Sequence, residues 1–195
     1  MKKGFTIAEV LVTLTILGVI ATLTIPVVTQ SMSAQYKQLY KAAFQNVESI
    51  VSELINDTAL YPNGEFTTNA DFCKHFAEKV NTIGYDSDNC DGDSFTTNPP
   101  DSPNFVTTNG MKWYIMDVDD RFETTCPDSV SPANDTCLHI YVDVNGSKGK
   151  NTNTGADTQR DILGIFVSKT GKLYVPEYGE GPERCYMIGD SSCPY

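Results

Sequence analysis

Histidine and tryptophan are scarce in this sequence, with two and one residues in a chain of 195. His75 and His139 lie far apart, no G-x-S-x-G stretch occurs, and no activated cysteine accompanies either histidine. Nucleophilic catalysis of the serine or cysteine type therefore lacks its parts. There is no C-x-x-C pair, which excludes zinc frameworks built on one, and Cys73-Lys74-His75 alone does not make a metal site. Basic residues are outnumbered: 14 Lys and Arg stand against 25 Asp and Glu, a formal charge of −11. That balance keeps a domain soluble and argues against general nucleic-acid binding. Charge of either sign almost vanishes between residues 5 and 28, where Glu9 is the one ionisable side chain. A short apolar core followed by a small-residue cleavage site, as in a conventional secretory signal, is missing too. No internal repeat is visible, and no catalytic set converges, so the chain is read as a non-enzyme.

What is present begins with Lys2-Lys3-Gly4-Phe5-Thr6-Ile7-Ala8-Glu9 and an apolar run to Val28. A helix from Phe5 to Val28 would reach about 36 Å, enough to cross a hydrocarbon layer of roughly 30 Å. The lysines should remain on the cytoplasmic side, leaving the rest of the chain across the membrane. A carboxylate deep in a bilayer costs about 2.5–3.5 kcal/mol and usually has a partner, so Glu9 calls for one. Thr6, Thr13, Thr15, Thr22 and Thr24, with Gly18 and Ala21, would let helices pack closely or hydrogen-bond across an interface, although each Thr can equally satisfy its own helix. Pro26 removes a backbone donor and predicts a kink or loosened turn.

Beyond Pro26 the pattern becomes amphipathic. Val28, Met32, Tyr36, Leu39, Tyr40, Ala43, Phe44, Val47, Ile50, Val51, Leu54 and Ile55 recur at spacings of three and four, which predicts one covered helix face ending near Asn56-Asp57. Thr68-Asn69-Ala70-Asp71 reads as the start of a short helix with Phe72, Phe76, Val80 and Ile83 buried and Gly84 as its stop. Residues 85–109 read as loop with little sheet. Strands are expected over Met111–Val118, Leu138–Val144, Ile162–Val167 and Lys172–Val175. The second alternates as a half-buried strand should, and Ser168–Gly171 reads as a tight hairpin. The tail from Pro176 to Tyr195 reads as an irregular, covalently closed loop. Short connections favour an antiparallel meander on the amphipathic helix, an α+β fold.

About 165 residues remain outside the apolar run, enough for one soluble domain. Cys73, Cys90, Cys126, Cys137, Cys185 and Cys193 all fall within them and fit an oxidising compartment. Closing nearest neighbours gives loops 73–90, 126–137 and 185–193, though sequence does not choose rigorously among pairings. Asp143-Val144-Asn145-Gly146-Ser147 begins like a calcium loop, with Asp143, Asn145 and Ser147 as alternate oxygen ligands. Position 12 is Thr154 rather than the EF-hand glutamate, so Asp157 or Asp161 would have to close a longer loop. The plainer reading is a solvated Asx-rich turn. Asp117, Asp119 and Asp120, and likewise Asp86, Asp88, Asp91 and Asp93, read as solvated turns, His75 and His139 as surface or strand-face residues, and Trp113 as core.

The leader and the segment G-F-T-I-x-E resemble the prepilin signal of type IV pilins and type II secretion pseudopilins. The resemblance is close from Met1 to about residue 35 and loose beyond. It implies a leader at 1–4, cleavage between Gly4 and Phe5 by a prepilin peptidase, N-methylation of Phe5, and a transmembrane, filament-core helix at 5–28. Residues 29–195 would form an extracytoplasmic pilin-like domain, anchored by a single pass in the inner membrane and then carried into a periplasmic or extracellular filament. Glu9 falls fifth in the processed chain, where the family pairs its glutamate with a neighbour's amine, here that of Phe5. Implied partners are copies of the chain, other pilins or pseudopilins, and the inner-membrane assembly platform. A carboxy-terminal disulfide loop, and in some pseudopilins a calcium ion near the sheet, belong to the same resemblance. The implied function is a structural subunit supporting protein secretion. The alternative is a minor or tip pilin in adhesion, through loops such as 85–109 and 119–136, or in DNA uptake.

Overall fold

The computed structural model describes residues 6–86, 90, 102–116, 137–148, 161–175 and 182–188, of which 23–33, 116, 182 and 188 by backbone alone. One helix, α1 (Ile7–Ile55), runs 49 residues and stays helical across Pro26. Tyr36, Tyr40, Ala43, Val47, Ile50, Val51 and Leu54 form its buried stripe, flanked by half-buried Leu39, Phe44 and Ile55. Spacings of three and four place these residues one above another, so the stripe must be covered. A buried Val, Leu or Ile contributes about 1.5–3 kcal/mol, which makes this face the main attachment of helix to domain. The helix ends at Asn56, whose amide donates to Ser52 O at 2.7 Å, and Asp57 Oδ1 then accepts from Ala59 N at 3.0 Å.

A second helix, α2 (Asn69–Lys79), begins as expected, with the Thr68 hydroxyl accepting from Asp71 N. It stops at Val80, short of Gly84. Val80 is buried, but Ile83 lies outside the helix and is exposed, correcting the expected buried face. Ile83 belongs instead to an edge strand, β1 (Thr82–Ile83), after which Gly84 takes φ +60.

The sheet continues with β2 (Phe105–Thr107), β3 (Lys112–Met116), β4 (Leu138–Asp143), β5 (Ile162–Val167) and β6 (Leu173–Tyr174). All neighbours are antiparallel and spatial order equals chain order, so the meander stands. Strand β2 lies inside the stretch read as loop. Its short, polar-flanked FVT segment carries too little pattern to announce a strand. Trp113, Ile115, Leu138, Ile140, Val142, Leu163, Ile165 and Val167 face α1 and α2 in the core. Aromatic rings fill the α2 end, with Phe66 and Phe72 centroids 4.9 Å apart, Phe76 and Trp113 5.8 Å apart, and Phe105 stacked on Trp113.

The other sheet face corrects a second expectation. Strand β4 is buried on both sides, not half-exposed. His139 is only 7% exposed and stacks on Phe166 with centroids 4.0 Å apart, while Tyr114, Tyr141 and Ile162 form a separate apolar cluster. Burial pushes His139 down to about 4, so it is neutral at pH 7.

The tail also departs from the irregular loop expected, because Pro182–Ile188 is helical and forms α3. Buried Glu183 accepts the Gly164 N–H at 3.2 Å, and the Tyr186 ring lies 6.2 Å from that of Tyr40. Cys73 and Cys90 form the expected disulfide, which displaces any zinc reading of Cys73. Cys137 and Cys185 are disulfide-bonded as well. Cys126 and Cys193, and with them the pairings 126–137 and 185–193, lie outside the described residues.

Candidate functional site

The first candidate is the start of α1. Thr6 caps the helix from an extended conformation, φ −81 and ψ 153. Its backbone N–H and hydroxyl both donate to Glu9 Oε2, at 2.8 and 2.9 Å, and its hydroxyl accepts from Glu9 N at 3.3 Å. This reciprocal capping box satisfies helix-end donors that would otherwise be left over. The T-x-x-E spacing at Thr6–Glu9 is the sequence signal for this cap, set inside a segment whose apolar run is the stronger pattern.

Downstream, Ile7, Val10, Leu11, Val12, Leu14, Ile16, Leu17, Val19 and Ile20 are 45–82% exposed. They point all around the helix, so no single side can be turned to water. Thr13, Thr15 and Thr22 donate to the carbonyls of Val10, Leu11 and Val19 at 2.8–2.9 Å. These hydroxyls thus serve their own helix, the second of the two uses open to them. Added side-chain bulk at Gly18 would meet nothing within 4 Å. Among the described residues no helix is long and apolar enough to cross a membrane. Gly4 and Phe5 lie outside the described residues, and of Pro26 only the helical backbone is described.

The second candidate is the turn after β4. Asp143 has no exposed surface, and neither side-chain oxygen has a hydrogen-bond partner among the described residues. Lys112, opposite it on β3, brings its ammonium to 4.0 Å, and the amides of Gly146 and Asn145 approach too loosely to count as hydrogen bonds. Burial first, and then the charge of Asp161, raise the Asp143 carboxyl to about 6. Tyr114 on the same face rises to about 12, through burial and the charges of Asp143 and Asp161.

Strand alternation separates the two acids. Asp143 pairs with Ile162 on the outer face, so Asp161, one residue earlier, turns toward α1. There Asn145 Nδ2 donates to Asp161 Oδ2 at 3.0 Å and to the Tyr36 hydroxyl at 2.9 Å, tying the turn to the helix. Asn145 Oδ1 is buried with no hydrogen-bond partner among the described residues. Gly146 is forced by space, because a Cβ there would run into the Gly110 carbonyl oxygen, and its φ of +65 suits glycine.

Of the expected calcium ligands, Asp143 and Asn145 therefore share one turn with oxygens to spare. Ser147 is exposed, and Asp157 lies outside the described residues. The Asp143 oxygens lie on the outer face with Lys112 at 4.0 Å, while the Asn145 side chain is tied to the α1 face through Asp161 and Tyr36. Among the described residues no group of three His, Cys, Asp or Glu could hold a metal. The contribution of Tyr36 was missed, since a tyrosine on an apolar helix stripe gives no sign of its hydroxyl's partner. His75 sits between Asp71 and Glu78 at 3.4 and 3.3 Å, a surface arrangement.

Residues 1–25 match the family model of the prokaryotic N-terminal methylation motif. The chain carries the prepilin signal of type IV pilins and pseudopilins, joined to a helix packed on an antiparallel sheet. Neither a curated protein nor a solved structure matches it.

Proposed function

We propose that this chain is a structural subunit that stacks its first helix with those of other copies into an extracytoplasmic filament, of the type II secretion pseudopilus or type IV pilus kind, in support of protein secretion. The observation that supports it is continuity. The methylation motif at residues 1–25 passes, within one helix, into the stripe that carries the whole sheet. An apolar surface all around residues 7–20 needs lipid before assembly and other helices after it. On this reading a prepilin peptidase cuts after Gly4 and methylates Phe5. The helix then rests in the inner membrane until an assembly platform moves it into the filament.

Glu9→Leu tests the proposal. The variant should insert and be processed as the wild type is, yet yield almost no sheared filament. Filaments at wild-type yield would overturn it. Calcium is proposed for the Asp143–Asn145 turn, supported by the unpartnered oxygens there. Calorimetry on the full-length chain in detergent should give saturable heat with calcium, lost in Asp143→Asn. Absence of heat in the wild type removes the ion from the account.

A further inference from the structure

Along an antiparallel strand, residues two apart turn their backbone N–H and C=O to the same side. On β5, Phe166 pairs with Tyr174 of β6, and Ser168 N donates to Lys172 O in the same register. Gly164, two residues before Phe166, therefore directs both its backbone groups toward the β6 side. Carried on, that register would set residue 176 opposite Gly164, and the sequence has proline there. Proline has no N–H, so β6 cannot supply the donor that the Gly164 carbonyl needs.

Side chains from two helices take that place. The Tyr40 hydroxyl on α1 donates to the Gly164 carbonyl at 2.7 Å, and Glu183 on α3 accepts the Gly164 N–H at 3.2 Å. One donor and one acceptor thus imitate a single residue of an added strand. Helix α3, which brings the acceptor, has seven residues, too few to be stable alone. It is held through buried Glu183 and Tyr186, one turn apart on the same face. The strand beneath, Ile162–Val167, has no charge and no proline, and its one glycine lies at the covered point. Such a run pairs with a copy of itself wherever its edge is bare.

We propose that α3 is a removable stopper on a strand-accepting edge: docked, it keeps β5 to its own chain, and withdrawn, it leaves Gly164 to the β5 backbone of a second copy. The contact is autoinhibitory, and it holds whether or not the first helix builds a filament. Gly164 has no side chain to keep the two backbones apart. In the pair, the second copy's N–H and C=O replace the Tyr40 hydroxyl and the Glu183 carboxylate.

The test uses the full-length chain in micelles, as wild type, Glu183→Leu and Tyr186→Ala, which leave every cysteine in place. Sedimentation follows association as concentration rises. Hydrogen exchange is read at the Gly164 amide, with Val142 in the middle of the sheet reporting an intact fold. At low concentration both variants should exchange the Gly164 amide about tenfold faster than the wild type, with Val142 unchanged. As concentration rises they should dimerise about tenfold more tightly than the wild type, whose first helix is the same, and Gly164 should regain protection. A purely structural clasp would give the faster exchange without its recovery. Association no tighter than wild type, or dimers in which the Gly164 amide stays open, would each overturn the proposal. If one variant also loses protection at Val142, the other decides.

Discussion

The Tyr40 hydroxyl donates to the Gly164 carbonyl at 2.7 Å, across 124 residues of chain, while the N–H of the same glycine goes to Glu183 at 3.2 Å. Strand β6 pairs only with Phe166 and Val167, so beyond it the outer edge of β5 would present bare backbone groups. Helix α1 and helix α3 close that edge with one side chain each, protecting a strand that could otherwise pair with another molecule. Tyr40→Phe should cost about 1–2 kcal/mol, because it leaves a buried carbonyl unsatisfied with little change of shape. Denaturant unfolding of the full-length chain checks the value. A loss below a few tenths would mean that water replaces the hydroxyl.

Maturation gives a prediction with a mass attached. Intact mass spectrometry of membrane-derived protein should show loss of Met1 to Gly4 and one added methyl group on Phe5. A retained Met1 would contradict processing. A trimmed but unmethylated end would mean that cleavage and methylation are separate here.

Much of this architecture was legible beforehand, for reasons that differ by element. The three-and-four spacing from Tyr36 to Leu54 and the alternation from Leu138 to Val144 are long enough to exceed chance, and β5 came out at its expected bounds. Thr82–Ile83 and Phe105–Thr107 are too short to show a period, and neighbours in the sheet, not local preference, make them strands. His139 looked like a strand-face residue because alternation says which way a side chain points, not what lies over it. At the candidate sites, the Glu9 and Asp143 positions could be read from spacing. Tyr36 and Asp161 meet only through folding, as ligands of one amide.

The buried Asp143 sets a pH expectation with a definite sign. Its carboxyl titrates near 6 in the folded chain against 3.8 when unfolded, so its penalty is absent below about pH 4 and grows as pH rises through 6. Asp143→Asn, measured in chelator at pH 7, should therefore raise stability by about 1–3 kcal/mol, less whatever Lys112 loses. Destabilisation there would mean that the pair with Lys112 outweighs the cost of burial.

His139 works in the opposite sense. Its folded value near 4 lies below the unfolded 6.5, so stability is full above pH 6.5 and falls as pH drops toward 4. His139→Gln should flatten that acid limb by about 2–3 kcal/mol between pH 6.5 and 4. Thermal melts across this range decide it, and an unchanged acid limb in the variant would place the sensitivity elsewhere.

Gly146→Ala brings a methyl group against the Gly110 carbonyl at a positive φ. About 2–4 kcal/mol should be lost, since neither backbone segment can yield cheaply. An alanine variant as stable as wild type would show that the turn shifts freely.

Because strands lie side by side in the order in which they are synthesised, each one meets a partner that has formed just before it. The sheet can thus zip up progressively, with few distant segments to find. The late arrivals of Gly164 and then Tyr186 at Tyr40 span most of the polypeptide, and they seal the finished sheet onto the long helix.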